Sequence, residues 1–346
     1  MKLFSPLILS IFIFSNAYAE YTAGLTVDSS SNMLMQPEGE SGTSIRFDGS
    51  IGHSIMEKIY ISYNSELAFL ENYNGLQYQN HQLSADYTIF SGESLSWNTA
   101  VSGNFTRFGD VTVLDGYNHY GVVSAIKYYI QPTVLLRWGI NLENKDYLKY
   151  DAENYHGAET YLRLDKFFKT RTTLRLQFDS GARSYFKVEN TPVSRIFDTK
   201  ILIAQSFTDI IGSNIEFSRS TLSTGFSSSD SSRVYNSVFL DDKYKYSRKG
   251  ISLSITRLIS GKGSMKIVGT YNERTYHKGA LTVFEYLPQN GWSEVEKSVS
   301  FILSYNTELI PDYIHPSCRL YYTDVNASES FLSYDSAGVM VNFSIF

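Results

Sequence analysis

Cysteine is nearly absent from this chain. The single one, Cys318, allows no intramolecular disulfide and no metal site built on thiolates. Long apolar runs are missing as well. The most compact run, Leu7–Phe14 (LILSIFIF), falls well short of the roughly 20 residues a helix needs to cross a bilayer, so no helical membrane span is expected. Neither sign of charge dominates. Lys and Arg number 30 against 35 Asp and Glu, a formal net charge of −5, which leaves no footprint of nucleic-acid binding. Proline is scarce at 7 of 346 residues, whereas Tyr (27) and Phe (22) are abundant. Aromatic-rich, Ser/Asn/Thr-rich stretches suit strands better than helices.

The N-terminus has the order of a secretory signal peptide: Lys2, then the short apolar run, then Ala17-Tyr18-Ala19 as a small-x-small cleavage site. Residues 1–19 are therefore expected to be removed, leaving a mature chain of 20–346 that begins at Glu20. No cysteine follows the site, so a lipid anchor is not expected. Export alone still permits a soluble periplasmic protein.

A period of two runs through most of the mature chain. Val134, Leu136, Trp138, Ile140 and Leu142 alternate with Arg137, Gly139, Asn141 and Glu143. Ile59, Ile61, Tyr63, Leu67 and Phe69 alternate with Lys58, Tyr60, Ser62, Asn64 and Glu66, and Leu174, Leu176 and Phe178 alternate with Arg175, Gln177 and Asp179. Such strands fit a soluble sandwich, with the apolar face in a core, or a membrane barrel, with that face in lipid.

Rhythm separates the two. Short turns are expected near Gly52-His53-Ser54, Ser91-Gly92-Glu93, Gln131-Pro132, Lys169-Thr170, Asp209 to Ser213, Ser260 to Gly263 and Ile310-Pro311. Longer polar loops are expected near Gln36–Ser41, Glu71–Gly75, Gly109–Tyr117, Lys145–Asn154, Phe186–Pro192, Thr224–Lys245, Thr275–Glu294 and Val325–Leu332. The polar parity also carries charge in mid-strand, and aromatics such as Phe90, Tyr128, Tyr129, Phe167, Phe168, Phe207 and Tyr313 gather beside the short turns, as interfacial girdles do. The fold predicted is an all-β, transmembrane, antiparallel up-and-down barrel of about 16 strands, within a range of about 14–18, with strand cores of roughly 9–11 residues. The count is least defined over Arg233–Ser260, which reads as one long strand or as two meeting at Asp241-Asp242.

The chain ends Ser336-Ala337-Gly338-Val339-Met340-Val341-Asn342-Phe343-Ser344-Ile345-Phe346. This resembles the C-terminal assembly signal of Gram-negative outer-membrane β-barrels. Gly338, Val341 and Phe343 match its polar-x-Gly-x-x-hydrophobic-x-hydrophobic form, and Phe346 matches its terminal aromatic. Phe346 departs from the pattern in parity, since Val339, Val341, Phe343 and Ile345 form the apolar row. The resemblance implies an outer-membrane location and a porin-like passive channel for small hydrophilic solutes, with no enzymatic activity and no cofactor. It implies as partners outer-membrane lipid and lipopolysaccharide, the barrel-assembly machinery and periplasmic chaperones, and small polar solutes. A homo-oligomer is compatible with it, and nucleic acid is not a partner. No plug segment precedes the first alternating residues, Tyr21 to Val27, which argues against a plugged receptor.

The lumen-lining candidates are Arg137, Glu143, Glu159, Arg163, Asp165, Arg175, Asp179, Asp198 and Lys200. They would tune permeation, and equally would serve as cross-strand ion pairs that rigidify the wall. Their charge is mixed, and no row of one sign is visible along the sequence, which points to weak ion selectivity. The long loops Thr224–Lys245 and Thr275–Glu294 are expected to stand in solvent rather than fold inward. Asp241 and Asp242 suit a divalent ion bridging lipopolysaccharide, or plain solvation. An embedded hydrolase would need a nucleophile, a base and an orienter within reach. The six histidines are scattered, so neither a catalytic cluster nor a metal site is expected, and His119, on the lumen parity, is the best-placed base. The alternative to a pore is a non-conducting scaffold or a surface-recognition barrel of the adhesin or receptor kind, in which loops matter more than the lumen.

Overall fold

Residues that alternate every second position form strands only if each edge finds a partner, and here every edge does. The computed structural model describes residues 19–31, 41–56, 58–70, 78–109, 116–148, 154–185, 193–223, 246–259, 263–276, 294–307, 314–327 and 333–345. All elements among them are strands: β1 (Ala19–Ser30), β2 (Gly42–Met56), β3 (Ile59–Leu70), β4 (Tyr78–Ser91), β5 (Leu95–Phe108), β6 (Tyr117–Gln131), β7 (Val134–Tyr147) and β8 (Tyr155–Phe167) make the first half. The second half is β9 (Thr172–Tyr185), β10 (Val193–Ser206), β11 (Ile211–Ser223), β12 (Tyr246–Ile259), β13 (Gly263–Tyr276), β14 (Glu294–Asn306), β15 (Ile314–Ala327) and β16 (Tyr334–Ile345). Each pairs antiparallel with its sequence neighbours, and β1 pairs with β16 to close a 16-stranded barrel. Closure satisfies the backbone of every strand within the sheet, the condition for crossing lipid without helices.

Curvature identifies the two faces. Side chains crowd on the concave side of a closed sheet, and the buried strand residues other than Gly263, among them Thr26, Leu135, Asp165, Asp179, Ser194, Ser254 and Ser336, share the polar parity. The opposite parity presents exposed apolar side chains such as Phe47, Val101, Trp138, Phe178, Leu253, Phe301 and Phe343. The barrel is thus inverted relative to a soluble core, polar within and apolar without. Cys318 lies on the outward parity with Leu320 and Tyr322, as its spacing predicts.

Strands run from 12 to 15 residues, longer than the cores expected from the sequence. The excess lies mostly at the long-loop end. Lys145–Tyr147 belong to β7, Thr275-Tyr276 to β13 and Val325–Ala327 to β15, although composition assigns them to loops. Lys145, Tyr147 and Val325 point inward, so their spacing continues the strand pattern beyond the apolar belt. The region before Ile259 holds one strand, β12, among the described residues.

Among the described residues the short turns fall where expected, with two shifts; the turn expected at Ile310-Pro311 lies outside them, as does the one at Ser260 to Gly263 except for Gly263, which belongs to β13. Ile211–Ser213 already belong to β11, and Gly52-His53-Ser54 lie within β2, whose turn to β3 comes after Met56. Gly52 is small for another reason: a Cβ there would collide with the Tyr60 hydroxyl, which lies across it to reach Glu20 at 3.1 Å. Of the girdle aromatics, Phe90, Tyr128, Phe168 and Phe207 are exposed at the short-turn end. A bulge between Thr88 and Phe90 turns Phe90 onto the outward face opposite Trp97. Tyr129 and Phe167 instead take the inward parity, opposite Leu135 and Thr173. Apart from Ala19, the signal segment lies outside the described residues, as do Asp241, Asp242, His277, Tyr313, Phe346 and the loops 224–245 and 277–293.

Candidate functional site

The inward side chains of β6 to β10 form layers, set by register rather than by any one strand. Toward the short turns, Lys127 faces Arg137, Arg137 faces Arg163, Arg163 faces Gln177, and Gln177 faces Lys200. One step below, Asp165 lies between Leu135 and Arg175. Asp165 is 1% exposed. Arg175 Nε donates to its Oδ1 at 2.7 Å, Arg163 Nε to its Oδ2 at 3.0 Å, and Arg137 Nε stands 3.9 Å away. A buried carboxylate is tolerable only with such partners.

An acidic layer lies one step above the basic row. Asp179 faces Asp198 directly, and Glu159 sits one level higher, opposite Gly181. Gln177 Nε2 donates to both carboxylate oxygens of Asp179 at 3.0 Å. Higher still, Glu143 accepts from Arg183 Nε at 3.2 Å and lies 3.1 Å from His119 Nε2. Arg183 reaches it across Gly157, where a Cβ would meet the Glu143 side chain at 2.7 Å. Lys145 stacks over Tyr117 at 4.1 Å near the long-loop end.

All nine candidates read from the sequence thus face the lumen. The expectation that no row of one sign exists is corrected. Signs alternate along each strand, which is what the sequence displays, but the antiparallel register lines up like charges across strands. Lys127 was missed because Ile126-Lys127-Tyr128-Tyr129 reads as an interfacial girdle. Counting equal distances from the Pro132 turn places Lys127 opposite Arg137, and that signal was present in the sequence.

A second polar surface covers β1 to β4. Arg46 Nε pairs with Glu66 at 3.0 Å, Tyr78 donates to Glu66, and Thr22 bonds Ser50 at 2.5 Å. Asp48, Ser50, Asn64, Glu66, Asn80 and Gln82 line a recess of about 280 Å³ there. His119 makes its hydrogen bond to Glu143, and no serine or threonine hydroxyl or cysteine thiol is bonded to it among the described residues. Among the described residues there is no group of three or more His, Cys, Asp or Glu suited to a metal ion.

Of the residues expected to form an assembly signal, Gly338, Val341 and Phe343 lie on β16 at the barrel seam. Val341 and Phe343 point outward, opposite Val27 and Leu25 of β1. Gly338 lies under the Tyr321 ring, whose hydroxyl donates to Asp28 on β1 at 2.9 Å. The side chains of Ser30 and Ser336 (2.8 Å) and of Asn342 and Thr26 (2.7 Å) join the same two strands.

No family model matches the chain, and no curated protein matches it. Solved structures do. A bacterial polysaccharide outer membrane secretin superposes with a TM-score of 0.55 at 7% identity, over 94% of this chain and 97% of that one. OpdK of Pseudomonas aeruginosa, solved with vanillate, gives a TM-score of 0.53 at 9% identity, over 94% and 98%. At such identities the likeness extends to the fold, which is that of outer-membrane barrels.

Proposed function

We propose that the chain resides in a Gram-negative outer membrane as a non-enzymatic, porin-like passive channel for small hydrophilic solutes. One observation carries this reading: the inward face sets like charges directly opposite one another, Lys127 to Arg137 to Arg163, and Asp179 to Asp198. Like-charged cross-strand neighbours destabilise a sheet, and in a dry interior the cost of unpaired charge would be far larger. A water-filled lumen screens them, and a barrel of this strand number is wide enough to hold one. Rules of local stability are most often broken where function requires it. The basic row then favours anions near the short-turn end, and the acidic layer above it offsets that preference only in part.

The test is conductance in a planar bilayer. The chain should open stepwise, ion-conducting channels. Lys127→Glu with Lys200→Glu should shift the reversal potential in a salt gradient toward cations. These two positions are preferable to Arg163 or Arg175, which hold Asp165 in place. A folded barrel that never conducts would overturn the pore and leave the scaffold or surface-recognition reading. Unchanged selectivity in the variant would remove the basic row from permeation.

A further inference from the structure

On the outer surface, the apolar belt ends in a charged row at the long-loop end of β11 to β14. Arg219 faces Lys249, Lys249 faces Glu273, and Glu273 faces Lys297. All four share the outward parity with Phe217, Ile251, Tyr271 and Val299, which lie one step deeper, and Arg219, Lys249 and Lys297 are exposed. Arg219 and Lys249 are two cations placed directly opposite each other, an arrangement that costs a sheet stability. None of the four forms an ion pair with another described residue. Glu273 offsets one cation of three, and the nearest outward acid on the next strand, Asp324, accepts from Asn326 at 2.8 Å. The row keeps an excess of positive charge facing away from the lumen, where it has no part in permeation.

Its depth defines what it meets. On β12, Lys249 and Arg257 bracket the outward Ile251, Leu253 and Ile255. At about 3.3 Å per residue and a tilt of roughly 40°, they stand about 20 Å apart along the membrane normal, close to the height of the apolar band of such barrels. Lys249 therefore sits at the polar boundary of the hydrocarbon, on the side of the long loops. A ligand that satisfies this surface has an anionic head against Arg219 and Lys249 and acyl chains along Phe217, Ile251 and Leu253. Arg and Lys together suit phosphate oxygens.

We propose that Arg219, Lys249 and Lys297 form a docking site for a phosphate of lipid A in the outer leaflet. The inference rests on the outer-membrane reading above, because long loops mark the external face only in that membrane. Native mass spectrometry of the mature chain, refolded in detergent, tests it with bis-phosphorylated lipid A, lipid A stripped of its phosphates, and phosphatidylglycerol. The parent should retain the phosphorylated lipid A in preference to the other two. Arg219→Ser with Lys249→Ser and Lys297→Ser should lower that retention by at least about tenfold, or about 1.4 kcal/mol, without changing conductance. The charge-preserving pair Arg219→Lys and Lys249→Arg should keep most of it. Equal retention of lipid A with and without phosphate by the parent, or tighter retention of phosphatidylglycerol, overturns the site, as does a folded triple variant that binds like the parent. A chain that yields no heat-modifiable barrel in detergent sinks the outer-membrane reading itself, whereas a conducting barrel blind to the phosphates sinks only this inference.

Discussion

Asp165 is a carboxylate with almost no solvent around it, and guanidinium groups stand over it. Arg163 and Arg175 approach it at 3.0 and 2.7 Å. Replacing both by glutamine leaves it with Arg137 at 3.9 Å. Stranding a buried charge in this way should cost about 3–5 kcal/mol, read as a lower urea midpoint of the refolded barrel. Adding Asp165→Asn should recover most of the loss. A triple variant no more stable than the double would show that the arginines act through their own packing. The lumen-facing role of these residues is legible in the sequence because parity depends only on the period of two. The burial of Asp165 is not, because it depends on which residues of β7 and β9 stand beside β8, and register is a property of pairs of strands.

Glycine shows the same limit at the level of the strand. Gly52, Gly157 and Gly338 each sit in a middle strand, under side chains of the strands beside them. Sequence offers no way to tell such a glycine from one that makes a turn, which is why Gly52 reads as a turn residue while β2 runs on past it. Gly338, at the seam, differs from the other two in meeting backbone as well as a side chain. A Cβ there would collide with the Tyr321 ring and lie 2.6 Å from the Ser29 carbonyl oxygen. The ring could swing away, with loss of its bond to Asp28, but the backbone oxygen cannot. Gly338→Ala should therefore destabilise the barrel by about 1–3 kcal/mol and slow its folding into lipid vesicles, followed by heat-modifiable mobility. Gly49 is the control, since its added Cβ meets nothing closer than the Thr22 carbonyl oxygen at 3.8 Å. Gly49→Ala should stay within about 0.5 kcal/mol of the parent. Equal losses at the two positions would mean that helix or strand propensity, not crowding at the seam, decides the outcome.

For the whole barrel, the strand count, the sidedness of loops and the inversion of polarity all follow from patterns that a single strand carries, so they are legible before any pairing is known. The sorting of charge into stacked layers is an emergent property of closing those strands in one register, and on the channel reading proposed above it governs what the lumen does at a distance. A layer of cations on one stretch of wall acts on a passing ion through water, so its reach is the Debye length, about 10 Å at 0.1 M salt and about 3 Å at 1 M. At low salt that reach covers a large part of a lumen of this size; at high salt it is confined to the wall at Lys127, Arg137, Arg163 and Lys200. Anion preference, measured as reversal potential under a fixed threefold KCl gradient, should therefore be strongest near 0.05 M and fade toward 1 M. The Lys127→Glu, Lys200→Glu variant should show the opposite sign at low salt and converge on the parent at high salt. Selectivity that does not change with ionic strength would mean that ions are chosen by direct contact or by the width of the passage, and the charge layers would then belong to the architecture of the wall rather than to permeation.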